Sequence, residues 1–359
     1  MSKVSVKQAV ELLRGMVAIP STSFHEEEVG AFVLSFLRDS GIEAGMVGKN
    51  IVARSCGYDP AKPTLMLCAH MDTVEPAADY SFDPFKPQQP EDRILGLGSN
   101  DDGGSVVSMI SVFSEYREKD LPVNLLLALT VEEERSGPEG MRSLWGKLKD
   151  EVDFAIVGEP TGMRAATSER GLLVIDGVAE GVAGHAARGE GVNALYIALD
   201  DISALRSHVF PKVSPVMGKV GLNVTQISAG TAHNVIPDRC SFVVDIRPTE
   251  QYDNAEILEE LQALCKSRLT ARNLLNRSSA TRPDSPLAAT AAALGIETFS
   301  SPTTSDWMRI SCDAIKMGPG DSSRSHHKDE YVTVAEIEEA VQVYGKFIES
   351  FAYGRNTVE

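Results

Sequence analysis

The period of apolar and polar positions changes several times along the chain. Val6, Val10, Leu13 and Val17 recur at helical spacing up to Pro20, which cannot continue a helix. Val29, Phe32, Val33, Phe36 and Leu37 form the stripe of a second amphipathic helix that Gly41 ends. Short apolar runs follow, residues 64–69, 123–131 and 154–157, with no polar alternation, as expected of strands buried on both faces. A helix predicted over 105–116, with Val106, Ile110 and Phe113 on one side, lies between two of them. This alternation predicts an α/β fold whose mixed sheet has largely parallel members.

The character changes near Glu169-Arg170-Gly171. Strand 172–178, helix 193–205, strands 220–227 and 240–246 and helix 255–268 follow, the order of a split βαβ unit. It predicts a small α+β domain over residues 170–280, inserted into a first domain made of residues 1–169 and 281–359. The last helix opens on Thr333 and Glu336 in capping-box positions and carries Ile337, Val341, Tyr344 and Ile348 on one face.

A length of 359 residues, at about 150 per domain, agrees with two domains. Lys and Arg number 34 against 51 Asp and Glu, a net charge of −17, the opposite sign to a nucleic-acid binder. No stretch approaches the ~20 apolar residues of a membrane helix, and the first residues have no signal-like apolar run, so a cytoplasmic protein is expected. Five scattered cysteines without a CxxC suggest neither a disulfide framework nor a thiolate metal site.

Acids and histidines fall at the carboxyl ends of the predicted strands. Run 64–69 ends in His70-Met71-Asp72, run 123–131 in Glu132-Glu133-Glu134, run 154–157 in Gly158-Glu159, and residues 314–317 lead through Gly318-Pro319-Gly320 to His326. Asp101 joins them from the turn-rich segment before helix 105–116. In open α/β sheets the functional crevice lies beyond these strand ends. Two imidazoles and three carboxylates meeting there would need a cation, and their mixture suits Zn²⁺ better than a hard ion. A carboxylate two residues from a ligand histidine can fix its tautomer, and adjacent glutamates can divide metal binding from proton transfer.

His70-Met71-Asp72-Thr73-Val74, Gly96-x-Gly98-x-x-Asp101, Glu133-Glu134, Gly158-Glu159-Pro160-Thr161 and Gly318-Pro319-Gly320 followed by His326 together resemble the co-catalytic zinc metallopeptidase family of acetylornithine deacetylase and succinyl-diaminopimelate desuccinylase. The resemblance implies a zinc-peptidase-like catalytic domain interrupted by a ferredoxin-like dimerisation domain, two Zn²⁺ per subunit that Co²⁺ can replace, and a homodimer. It implies His70 and Glu159 on one metal, Glu134 and His326 on the other, Asp101 bridging, Asp72 orienting His70, and Glu133 as general base. It further implies His185 as an oxyanion donor reaching the partner subunit's site, and Asn234 and Arg247 as substrate contacts; Arg324 is a candidate for receiving the substrate's carboxylate. The Gly-Leu-Gly-Ser-Asn-Asp variant and the segment 318–326 look most like the branch that deacylates N-acyl-ornithine or N-acyl-citrulline in arginine biosynthesis.

Other readings stand beside these. Arg247 closes a strand, where a surface salt bridge is as plausible as a carboxylate clamp. His327 adjoins His326, but the spacing from Gly320 and to Glu330-Tyr331 favours His326. Gly96-Leu97-Gly98 lacks the third glycine of a dinucleotide loop, and no serine lies in a GxSxG elbow. Succinyl-diaminopimelate or a dipeptide are the alternative substrates, and a non-catalytic dimeric binding protein is the rival class.

Overall fold

A computed structural model describes residues 3–87 and 89–354. The chain divides into two units: one takes in the chain up to Thr167, Ala280–Phe299 and the chain from Ser305 on, the other Ser168–Ser279 and Ser300–Thr304.

The first unit is built on a mixed sheet. Strands Asn124–Thr130, Thr64–His70, Phe154–Val157 and Asp313–Lys316 run parallel, and Ala44–Val47 and Asn50–Arg54 add an antiparallel flank beside Asn124–Thr130. Why the central runs are apolar without interruption is visible residue by residue. Leu65, Leu67 and Ala69 join Leu125, Leu127, Leu129 and Ile156 in one core, whereas Met66 and Cys68 join Leu126, Ala128, Ala155 and Val157 in another with Trp145 and Trp307. Successive side chains of a strand point to opposite faces, so a sheet covered on both sides has no solvent-facing position to mark with a polar residue. The register pairs Ala69 with Leu129, Cys68 with Val157 and Lys316 with Val157. The four strands therefore end almost level, and the segments leaving them emerge along one edge.

Three elements depart from the sequence pattern in instructive ways. Helix Gly104–Tyr116 was expected to carry Val106, Ile110 and Phe113 on one side, and in the structure every residue but Glu115 is buried. Its serines permit this: the Ser108 hydroxyl donates to the Gly104 carbonyl (2.7 Å), Ser111 to the Val4 carbonyl (2.8 Å) and Ser114 to the Ser111 carbonyl (2.7 Å), so the polar face carries its own partners inside. The helix expected over 255–268 is Asn254–Leu264. The buried Asp201 carboxylate accepts from the Lys266 and Ser267 N–H groups (3.0 and 2.7 Å), turning the chain so that Arg268–Ala271 pairs with Leu173–Glu180 as a strand. A further helix, Met141–Leu148, carries Trp145 and Leu144 into the second core and has no counterpart in the sequence reading. The final helix, Val334–Gly354, begins on the anticipated reciprocal cap: Thr333 N–H donates to Glu336 Oε2 (2.8 Å) and Glu336 N–H to Thr333 Oγ1 (3.1 Å).

The second unit is an antiparallel sheet in the order Gly221–Ala229, Arg239–Arg247, Leu173–Glu180, Arg268–Ala271, with helices Ala194–Ser207 and Asn254–Leu264 packed on it. Its strands alternate in burial, Leu173, Ile175, Phe242, Val244 and Ile246 meeting Ala198, Leu205, Ile257 and Leu261. Chain order and strand order together are those of a ferredoxin-like α+β unit.

Candidate active site

At the end of strand Thr64–His70, His70 is buried and points Nε2 at Asp101 Oδ1 (3.2 Å). Its Nδ1 is held at 2.9 Å by the carbonyl oxygen of Asp72, not by the Asp72 carboxylate, whose nearer oxygen lies at 3.5 Å. That carboxylate is engaged elsewhere. Oδ1 accepts from the Glu133 N–H (3.0 Å), and Oδ2 from the Glu134 N–H (3.1 Å) and the Ser23 hydroxyl (2.7 Å). The HxD pair thus fixes the imidazole by its backbone and the glutamate turn by its side chain. Burial pushes the Asp72 carboxyl upward, but His70, Ser23 and the Glu133 N–H outweigh it and hold the group below its ordinary range.

Asp101 stands where the turn after Gly98 feeds helix Gly104–Tyr116. Glu330, 2% exposed, accepts from the Asn100 and Asp101 N–H groups with one oxygen (2.9 and 3.0 Å), and burial followed by the Asp101 charge pushes its carboxyl up to about 8. Asn100 ties the same turn to the histidine-bearing loop, its amide donating to the Asp321 carbonyl (3.1 Å) and accepting from the Asp321 N–H (3.0 Å). His326, in the left-handed region at φ +60°, brings Nε2 to 3.0 Å from Glu134 Oε2 and 3.7 Å from Asp101 Oδ2. Glu159 follows strand Phe154–Val157, its turn anchored where the Gly318 N–H donates to Thr161 Oγ1 (3.1 Å).

Two triads result: His70, Asp101 and Glu159 offer ligand atoms within 4.8 Å of one another, and so do Asp101, Glu134 and His326, with Asp101 common to both. The electrostatics describe a site crowded with anions. Burial, reinforced by neighbouring carboxylates, pushes Glu159 and Glu133 well above the ordinary carboxyl range and raises Glu134. His70 is driven well above the usual imidazole range because the Asp101 and Asp72 partners overcome burial, and His326 rises to about 9, chiefly through Glu134. Protons take the place of cations where carboxylates cannot all ionise together. The donor set, two imidazoles and three carboxylates in two groups sharing one acid, fits a pair of divalent ions of the borderline type.

Residues 66–350 match the family model described as peptidase family M20/M25/M40. The chain belongs to that family. It is 28% identical over 307 residues to an acetylornithine deacetylase of Proteus mirabilis, covering 80% of this chain and 79% of that one. It is 30% identical over 315 residues to a succinyl-diaminopimelate desuccinylase of Xanthomonas campestris pv. campestris, covering 80% and 83%. Among solved structures, an M20 metallo-carboxypeptidase of Sulfolobus solfataricus superposes with a TM-score of 0.76 at 17% identity over 96% of this chain and 99% of that one. A dinuclear metal-binding M20 peptidase of Bacillus subtilis gives 0.74 at 16% identity, over 97% and 98%. The family assignment makes the chain a hydrolase of a metal-dependent family, and the low-identity structures share its fold.

The remaining candidates sit in other surroundings. Arg324 lies in the first unit with its guanidinium 4.3 Å from the Tyr331 ring centroid and bonded to Glu336 (3.0 Å), so it serves the cap of the final helix. In the second unit His185 and Asn234 are neighbours on a two-stranded ribbon: His185 pairs with Val235, its Nδ1 accepts from the Ala187 N–H (3.2 Å), and the Ala186 N–H donates to the Asn234 carbonyl (3.1 Å). Both side chains are exposed. Arg247 forks onto Asp245 of its own strand through Nε and one terminal nitrogen (2.9 and 3.1 Å), which is the surface salt bridge of the two readings. Sequence reasoning missed Glu26, Asp306 and the role of Glu330. Asp306 is buried, accepts from the Thr130 hydroxyl (2.6 Å), and is raised to about 6 by burial. None of the three closes a predicted strand, so nothing local marked them. Among the described residues no helix is long and apolar enough to cross a membrane.

Proposed function

We propose that this protein is a two-metal amidohydrolase that removes the acetyl or succinyl group of an N-acyl-ornithine or N-acyl-citrulline, acting in the cytoplasm in arginine biosynthesis. The observation that carries the reading is the pair of donor triads sharing Asp101, with Glu133 next in the chain to the Glu134 of the second triad. His70, Asp101 and Glu159 would hold one ion and Asp101, Glu134 and His326 the other; Zn²⁺ suits the donors, with Co²⁺ a substitute. When bound, such ions supply the positive charge that polarises an amide carbonyl and acidifies a water. Glu133 takes the proton of the attacking water onto its carboxylate and hands it to the departing amine. The acyl product leaves as a carboxylate and the amino acid as a free amine.

The reading also includes a homodimer in which His185 of the partner subunit donates to the oxyanion, and Asn234 contacts the substrate. Its support is the second unit's surface: Gly221–Ala229 is an edge strand with Ile227 49% exposed, and helix Ala194–Ser207 exposes Tyr196 at 65% and Leu199 at 48%. Arg247 and Arg324 would receive a substrate carboxylate through guanidinium N–H groups other than those given to Asp245 and Glu336. The relative at 30% identity favours a second reading, succinyl-diaminopimelate.

The test is amine release from N-acetyl and N-succinyl forms of ornithine, citrulline and diaminopimelate, with Zn²⁺ or Co²⁺ and with a chelator. Turnover confined to ornithine or citrulline derivatives and abolished by chelation supports the first reading; turnover of the diaminopimelate derivative alone supports the second. Silence of the metal-loaded protein across the panel overturns both.

A further inference from the structure

The glutamate turn is held from a second side, by the loop that follows the first helix. Thr22 bridges Thr73, the Ser23 N–H donates to the Thr73 carbonyl (3.1 Å), and the Thr73 N–H to the Ser21 carbonyl (2.9 Å), so the loop runs beside the His70–Thr73 segment. At its end Glu26 is 2% exposed. One of its oxygens, Oε1, accepts two backbone N–H groups at once, Phe24 at 2.8 Å and Glu132 at 3.0 Å. Both donors lie in the left-handed region, Phe24 at φ +77° and Glu132 at φ +59°. Non-glycine residues enter that region at a cost and stay there only where the surroundings over-determine them. Glu26 precedes helix Glu27–Asp39 but makes no side-chain cap bond to it, so capping does not explain its burial.

We propose that Glu26 is a positioning residue for the proton carrier Glu133. By accepting from Glu132 it locks the left-handed entry to the turn, and Asp72 then holds the next two N–H groups, so that three consecutive amides are anchored by two buried carboxylates. The direction in which the Glu133 side chain leaves the backbone follows from this. Glu132 itself secures the far side, its Oε2 accepting from the Glu139 N–H (2.9 Å). The inference rests on Glu133 as the proton carrier for its kinetic consequence and not for its structural one.

The acceptor, rather than the charge, carries the role. Glu26 Oε2 has no hydrogen-bond partner, so an amide with its NH₂ there leaves both bonds at Oε1 in place, at the cost of one unpaired buried donor away from the two anchored amides. Three variants of the full chain separate the possibilities: Glu26→Gln retains the acceptor, Glu26→Asp keeps the charge but withdraws it by one methylene, and Glu26→Ala removes both. Backbone amide exchange of the chelator-treated proteins is expected to quicken about tenfold or more in peptides covering 22–25 and 131–135 for Glu26→Asp and Glu26→Ala, and to stay unchanged for Glu26→Gln. In the metal-loaded proteins kcat on the best substrate of the panel is expected to fall about 10- to 100-fold for the same two variants with KM held within about twofold, as for a misaimed reacting group. Unchanged exchange in both shortened variants, a Glu26→Gln protein as impaired as Glu26→Asp, or a rise in KM at constant kcat each overturns the proposal. If Glu26→Ala does not fold, the Gln and Asp pair decides alone. A wild-type protein silent on the panel would refute the hydrolase reading, while the exchange measurement still decides whether Glu26 anchors the turn.

Discussion

Replacing Asp72 by Asn keeps the shape of the side chain and halves what it can accept. The wild-type carboxylate takes three bonds, from the Glu133 and Glu134 N–H groups and the Ser23 hydroxyl. The best placement of an asparagine keeps its carbonyl oxygen toward Ser23 and Glu134 and turns its NH₂ onto the Glu133 N–H, so one bond is lost and two buried donors face each other. Stranding a buried donor costs about 1–3 kcal/mol, and the two together about 2–6 kcal/mol. Relief from burying a charge offsets part of this, leaving a net loss of about 2–3 kcal/mol. Urea unfolding of chelator-treated wild type and Asp72→Asn, followed by far-ultraviolet circular dichroism and by tryptophan fluorescence, reads the difference. Both tryptophans, Trp145 and Trp307, lie in a core of the first unit, so fluorescence reports the unit that carries Asp72. Divalent-metal affinity should fall about 10- to 100-fold as well, since the altered turn carries Glu134 and the altered residue also holds the His70 ring by its carbonyl. Unfolding midpoints that coincide, together with unchanged metal affinity, would refute the bond accounting and with it the role given to the carboxylate.

Other outcomes follow from the same geometry. Glu133→Gln should lower kcat by about two to four orders of magnitude while metal content by elemental analysis stays that of wild type; full activity would remove Glu133 as proton carrier. Chelation should lower the melting temperature of the first unit, and restoring the ion at about 100 times its Kd should return about 2.7 kcal/mol for each site filled; calorimetric traces that overlay with and without chelator would count against the two-triad site. Gly158→Ala should cost about 1–3 kcal/mol in denaturant unfolding, because an added Cβ would lie 2.6 Å from Ser105 Cβ and 2.8 Å from Asp102 Oδ2; a neutral effect would mean that the helix carrying Ser105 can retreat.

What the amino-acid sequence determined by itself is the part of the protein governed by short-range periodicity. Largely apolar runs at 64–69, 123–131 and 154–157 marked strands covered on both faces, and the polar residues closing them marked the edge at which chemistry gathers, because a strand end is a local event written in adjacent letters. His70, Glu134 and Glu159 stood out for that reason and Asp101 and His326 through the motifs of their loops, and together these motifs were enough to indicate the family. Only the tertiary structure decided which groups hold those residues in place. Glu26 reaches Glu132 across 106 positions and Glu330 reaches Asp101 across 229. Pairings at such separations leave no period in the chain, and a lone glutamate in a loop looks the same whether water or a backbone amide is its partner. The Asp72 carboxylate makes the same point at closer range: its spacing from His70 suggested the imidazole as partner, but the parallel register of two strands brought the Glu133 and Glu134 amides nearer. In helix Gly104–Tyr116 the period of Val106, Ile110 and Phe113 showed one apolar side, and only packing made the rest interior, by giving each of three serine hydroxyls a carbonyl. Sequence fixes local geometry through steric and hydrophobic preference, while the satisfaction of buried polar groups depends on which distant segments folding brings within about 3 Å.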